Sequence, residues 1–196
     1  MKTFLTDIDG VVLNWLDSFY DYLETYHGVV ATTRKPDDFY AVGATVGLSE
    51  DEIFKHVTVF NDTCPDFCDL KPYPHALKNI QMLKDRGHKF VAITSASAAI
   101  KRRIARRDNL DRYFPGVFSD VHCLALREDK SEYLEAYPNS FWVEDLLSNA
   151  AKGVDAGHTT FLISHPYNRG KVPAGYKKHI TRVRGWGHIA KTIGAK

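Results

Sequence analysis

Apolar positions along this chain follow two rhythms that take turns. Residues 3–8 form a short apolar run that ends in Asp7-Ile8-Asp9-Gly10, which reads as a buried strand stopped by a turn. Trp15, Leu16, Phe19, Tyr20 and Leu23 then recur at helical spacing. From about residue 26 to 71 the alternation lapses into short helical patches, such as 51–59 behind a Ser49 cap, with Gly and Pro punctuation. It resumes at Lys71-Pro72-Tyr73-Pro74, where a helix with an Ala76, Leu77, Ile80 and Leu83 stripe is expected to close at Gly87. Beyond it the pattern predicts a strand at 89–94, a helix from the Ser95-Ala96-Ser97 turn to about 107, and a strand at 121–126. A helix at 130–137, a strand at 140–143, a helix at 148–156 and a strand at 159–163 follow.

Strands alternating with helices at this spacing predict an α/β fold. The expected architecture is a Rossmann-like, doubly wound parallel sheet built from residues 1–13 and 72–196. A small helical cap, residues 14–71, is inserted after the first strand. Such sheets bind ligands at the carboxyl ends of their strands. The 196 residues suffice for one such core, and 44% apolar with 26% charged residues is ordinary for a globular chain. A formal net charge of +2 gives no argument for a nucleic-acid surface, and no run of 18 apolar residues suggests a membrane span. Asp7 interrupts the amino terminus too early for a secretory segment, so a cytoplasmic location is expected. Three cysteines, an odd number, argue against a disulfide framework.

Chemistry concentrates just past the predicted strands, in Asp7-x-Asp9-Gly10, Thr94-Ser95, Lys130 and Glu144-Asp145. Each has a plain structural explanation alone: a turn, a helix cap, a solvated lysine and a second cap. Together, in this order and context, they resemble the four motifs of the haloacid dehalogenase superfamily of phosphatases. Asp7-Ile8-Asp9-Gly10-Val11-Val12 resembles the first motif and Val91-Ala92-Ile93-Thr94-Ser95 the second. Lys130 stands for the third and Trp142-Val143-Glu144-Asp145 for the fourth.

The resemblance implies a Mg²⁺-dependent phosphatase with this core fold. Asp7 would be the nucleophile and a metal ligand, and Asp9 the acid and base, with its backbone carbonyl on the metal. Asp145 would complete the protein ligands, with Glu144 acting through a water. Gly10, Lys130 and the hydroxyl and N–H groups of Thr94 or Ser95 would hold phosphate. An acid at position 9 suits phosphoryl transfer rather than carbon–halogen cleavage, and a phosphomutase or sugar-phosphate phosphatase stays open. Among rivals, a phospho-receiver domain places its lysine last, whereas here Glu144-Asp145 follows Lys130. A relative that only binds nucleotides would be expected to lack Asp7 or Asp9.

His165-Pro166-Tyr167-Asn168-Arg169 and the late Trp186 resemble the 5′(3′)-deoxyribonucleotidase branch, although Pro-Tyr-Asn also makes a simple turn. The expected partner is therefore a small phosphomonoester, a nucleotide by preference, with no membrane and the oligomeric state left open. Trp15, Phe19, Tyr22, Tyr40 and Phe60 either stack on a base or pack the cap; Phe19 and Tyr22, nearest the first motif, are the candidates for stacking. The basic run 101–107 is read as a solvated helix face, with Ile100 and Ile104 on its apolar side, over a polynucleotide track for an end phosphatase. Cys64 and Cys68, with His56 and His75, are read as buried thiols over a zinc site.

Overall fold

A computed structural model describes every residue except Phe39, Tyr40, Ala98, Lys171 and Lys196. Tyr40, one of the proposed cap aromatics, thus lies outside the described residues. Six parallel strands, β1 Thr3–Thr6, β2 Lys89–Ser95, β3 Phe118–Leu124, β4 Phe141–Glu144, β5 Thr159–Ile163 and β6 Ile180–Val183, form one sheet in the order β3-β2-β1-β4-β5-β6. The chain winds outward from β1 through β2 to β3, then returns to lay β4 against the other side of β1. Its direction reverses at the β1/β4 junction, where a crevice opens at the carboxyl ends of the strands.

The period-2 alternation sorts side chains onto two faces. Phe4, Phe90, Ala92, Phe141, Val143 and Phe161 join one core, shared with helices α4 Pro74–Asp85, α5 Ile100–Tyr113 and α8 Trp186–Thr192. Leu5, Val91, Ile93 and Trp142 join another with Leu134 of α6 Ser131–Glu135. Leu162 packs on Ala150 of α7 Leu147–Asp155. Among the described residues, the elements between β1 and α4 are helical: α1 Trp15–His27, α2 Val42–Val46, α3 Glu50–Thr63 and a 3₁₀ turn, Pro65–Asp69. Ser49 caps α3 reciprocally with Glu52, whose N–H reaches the Ser49 hydroxyl while its carboxylate takes the Ser49 N–H.

Several expectations are corrected. The third strand lies at Phe118–Leu124 rather than 121–126, and α6 is a single short turn rather than 130–137. Both β6 and α8 were absent from the predicted series. Leu77, expected in the buried stripe of α4, is exposed. The largest correction concerns α5, whose Ile100 and Ile104 are 75% and 56% exposed while Arg106, from the basic run, is 1% exposed. The buried stripe of α5 is Arg106, Asn109 and Leu110. Arg106 and Asn109 hid this stripe from a count of apolar residues. Among the described residues, no helix is long and apolar enough to cross a membrane.

Candidate active site

Asp7 follows β1 by one residue and Asp145 follows β4 by one, so the pairing of these neighbouring strands sets the two acids side by side. The Asp7 N–H still donates to Val143 O at 2.9 Å, which extends that pairing into the loop. Lys130, at the entry to α6 and 2% exposed, donates to Asp7 Oδ1 at 2.8 Å and to Glu144 Oε1 at 2.9 Å. Burial opposes its charge, but the two carboxylates outweigh that effect and raise its pKa.

The acids respond to the same surroundings in different directions. Burial pushes Asp7 up to about 7, aided by Glu144 and Asp9 and opposed by Lys130. Asp145 is held well above the usual carboxylate range by burial, then by the Glu144 and Asp7 charges. Glu144 is pulled below its ordinary value despite burial, by Lys130 and by donors around it. Besides Lys130, these are the N–H groups of Asp145 and Leu146, both at 2.6 Å, and Asn149 Nδ2 at 2.8 Å. Its two oxygens are thus occupied by four donors, and Glu144 serves as the brace of the loop.

Asp7, Glu144 and Asp145 each present a carboxylate oxygen within 4.8 Å of the others. Three buried acids against one lysine leave excess negative charge, and an all-oxygen donor set suits a hard divalent cation. Asp7 and Asp145 are the members with oxygens to offer it. Among the described residues no other set of three His, Cys, Asp or Glu meets that spacing. Cys64, Cys68, His56 and His75 therefore form no such set, and all three cysteines are free.

Gly10 explains how closely this loop packs. Its φ is +84°, and a Cβ there would stand 2.2 Å from Asp145 Oδ2 and 2.9 Å from Tyr167 Oη. The segment after β5 closes the other side. Tyr167 Oη donates to Asp145 Oδ2 at 2.5 Å, Asn168 Nδ2 donates to Asp145 O at 2.6 Å, and His165 Nε2 meets Gly10 O at 2.7 Å. From α8, Trp186 Nε1 donates to Val11 O at 3.1 Å. The Pro-Tyr-Asn stretch and the late tryptophan thus tether the two acidic loops.

A cavity of about 400 Å³ opens over these groups, lined by Asp7, Asp9, Gly10, Ser95, Lys130 and Asp145. Ser95 faces it, whereas Thr94 is fully buried, does not line it, and leaves Oγ1 without a hydrogen-bond partner. Successive strand residues point to opposite faces, so only one of the pair can reach the cavity. From the helical segment come Trp15, Leu16, Phe19, Val42, Ile53 and Phe54. Phe19 lies in the wall with its ring packed on Trp15 and Phe60, while Tyr22 is buried outside the lining and bonded to His27.

Three features escaped the sequence. Arg127, also in the lining, sets its guanidinium 4.7 Å from the Phe54 ring centre, bridging α3 and the loop after β3. Asn61 joins Trp15 Nε1, at 2.9 Å, to Ala96 O, at 3.0 Å. Arg106 meets Asp9, its Nη2 2.9 Å from Oδ1 and 3.0 Å from Oδ2. For Arg127 the adjacent Glu128-Asp129 pair gave no hint, and for Arg106 the only hint was its i, i+4 spacing to Leu110.

No protein-family model matches the chain. An uncharacterised 32.4 kDa protein from the Gp30-rIII intergenic region of enterobacteria phage T4 is 31% identical over 152 residues, covering 74% of this chain and 54% of that protein. The chain thus spans about half the length of the relative it matches. Among solved structures, a haloacid dehalogenase-like family hydrolase from Streptococcus pneumoniae matches with TM-score 0.66 and 11% identity over 98% of both chains. L-2-haloacid dehalogenase from Xanthobacter autotrophicus gives 0.60 and 15%, covering 99% of this chain and 98% of that one. A HAD phosphatase from Thermococcus onnurineus gives 0.56 and 19%, covering 100% and 99%. At such identities the likeness carries the fold, which is that of the haloacid dehalogenase-like α/β proteins.

Proposed function

We propose that this chain is a Mg²⁺-dependent phosphomonoester hydrolase that works through an aspartyl-phosphate on Asp7. One observation carries the reading: Lys130 is buried between Asp7 and Glu144, with Asp145 beside them, at the crevice of a doubly wound sheet. A lysine in that position offsets part of the charge that would otherwise repel a phosphate dianion. Bound Mg²⁺, held by Asp7 and Asp145, would supply the remaining screening and fix the phosphoryl group.

The protein groups then divide the work. The Asp7 carboxylate attacks phosphorus as the ester oxygen leaves, and Asp9 protonates that oxygen. Water next attacks the aspartyl-phosphate, giving its proton to Asp9 and releasing phosphate and free Asp7. Ser95, rather than Thr94, is the hydroxyl available to a phosphate oxygen, with Gly10 leaving room beside it. The acid at position 9 favours phosphoryl transfer over dehalogenation.

A nucleotide is the preferred substrate. The aromatic wall of Trp15, Phe19 and Phe54, with the Arg127 guanidinium stacked on Phe54, suits a planar group on the leaving oxygen. Sugar phosphates are the competing class, since Asn61, Ser148, Asn149 and Lys152 give the same cavity a polar side. Phosphate release across deoxyribonucleotides, ribonucleotides and sugar phosphates, with and without Mg²⁺, tests both levels. Asp7→Asn should abolish release. Full turnover in that variant or in excess chelator contradicts the mechanism, and equal rates on all substrates remove the nucleotide preference alone.

A further inference from the structure

Arg106 is the one member of its basic run that the fold buries completely. Its guanidinium lies 4.3 Å from the Phe67 ring centre, and Nη2 sits astride the Asp9 carboxylate, 97 residues away in sequence. Asp9 lines the cavity and Arg106 does not. Its Nε and Nη1 are buried with no hydrogen-bond partner. As a device for stability this is poor, because a buried ion pair does no better than apolar packing and unsatisfied donors make it worse. What the arrangement does secure is the place of Asp9.

We propose that Arg106 is a positioning residue that fixes the Asp9 carboxylate for hydrolysis of the phosphorylated Asp7. The inference rests on the phosphohydrolase reading above. In the hydrolytic half-reaction a water oxygen bonds to phosphorus, the bond from phosphorus to the Asp7 oxygen breaks, and the water proton passes to Asp9. In the preceding half Asp9 has given a proton to the leaving oxygen, so it stands as an anion between the two. The Nη2 hydrogen bond to Oδ2, with the same nitrogen 2.9 Å from an Oδ1 that has no hydrogen-bond partner, holds the direction of the carboxylate and balances its charge. Its position over the Phe67 ring and its near-complete burial leave the arginine little freedom, so Asp9 inherits a single orientation. The Asp9–Arg106 contact also explains why α5 buries an arginine where an apolar residue would pack.

The test separates the two half-reactions. With p-nitrophenyl phosphate the leaving group needs little protonation, so rapid-quench kinetics isolate the hydrolytic step. Arg106→Met keeps an unbranched apolar stem and should retain a first-turnover burst near one nitrophenol per chain. Its steady-state rate should fall by about 100-fold or more, the scale of a displaced general base. Arg106→Lys restores one donor and should recover about a tenfold share of the loss. Parallel loss of burst and steady-state rate, or no loss in either, overturns the role of Arg106 and leaves the hydrolase reading standing. Absence of phosphate release by the unaltered chain overturns both. Should Arg106→Met not fold, Arg106→Lys decides alone: an intact burst with a slowed steady state supports the role, and unaltered kinetics overturn it.

Discussion

The phenol oxygen of Tyr167 lies 2.5 Å from Asp145 Oδ2, so a residue beyond β5 clamps the acid that follows β4. Burial and the Asp145 charge hold this phenol protonated far above its ordinary range, which makes it a permanent donor. Tyr167→Phe removes the donor without changing the ring. Its loss should cost about 1 kcal/mol of folding stability and weaken Mg²⁺ binding several-fold, read by urea unfolding and by calorimetric titration. Unchanged Mg²⁺ affinity would mean that Asp145 does not need this clamp to face the cation.

Gly10 carries a sharper constraint. Ala in its place must adopt a φ of +84° and push against Asp145 and Tyr167. Gly10→Ala should therefore lose at least about 2 kcal/mol of stability along with the proposed phosphatase activity, as strained backbone and overpacking act together. A melting temperature equal to that of the unaltered chain would contradict the packing described.

Like charge among the acids implies a gain when one is neutralised. Burial, then Glu144 and Asp7, hold Asp145 well above the usual range, so its ionised form is costly without a cation. Asp145→Asn should raise the thermal midpoint in chelator and abolish the Mg²⁺-induced rise that the unaltered chain should show through linkage. Equal Mg²⁺ responses in the two proteins would remove Asp145 from the ligand set.

At the cavity wall, Phe54 and Arg127 form a stacked pair between α3 and the core. Arg127 has a φ of +66°, so Arg127→Gly relieves backbone strain and should fold at least as well. With Phe54→Leu, it should lower kcat/KM for nucleotides about tenfold more than for a small ester such as glycerol phosphate. Equal losses on both substrates would assign the pair a structural role.

The contribution of one histidine to stability against pH can be isolated. His158 is pulled below its ordinary 6.5 chiefly by burial, so below that pH the unfolded chain takes up a proton the folded one resists. Its contribution is complete above 6.5 and is lost as pH falls from there to the folded value. Asp7 and Asp145, held high, act in the opposite sense over much of this interval. The slope must therefore be compared with that of His158→Gln. The difference in urea midpoint between the proteins should shrink on going from about pH 7.5 to about pH 5.5. A constant difference would mean that burial does not suppress this proton.

Local chemistry made much of the fold and site legible. The 159–163 strand matches its predicted bounds because a run of alternating Thr, Phe, Leu and Ile between turns has no competing reading. The α1 stripe was equally plain. By contrast β6 has four residues, two of them Thr181 and Arg182, and is defined by its pairing with β5 rather than by any pattern of its own. In α5 the isoleucines marked the wrong side, because the ring of Phe67 and the charge of Asp9 had paid for burying Arg106 instead.

The sequence by itself determined the alternation of strands and helices, the parallel class of the sheet, and the presence of acids, hydroxyls and a lysine just past the strands. Those features depend on periodicity and turn residues within a few positions of one another. Tertiary structure alone decided that Ser95 and not Thr94 meets the cavity, that Tyr167 grips Asp145, and that Arg106 belongs to Asp9. Each of these depends on segments distant in the chain, and such contacts exist only once the strands have chosen their neighbours.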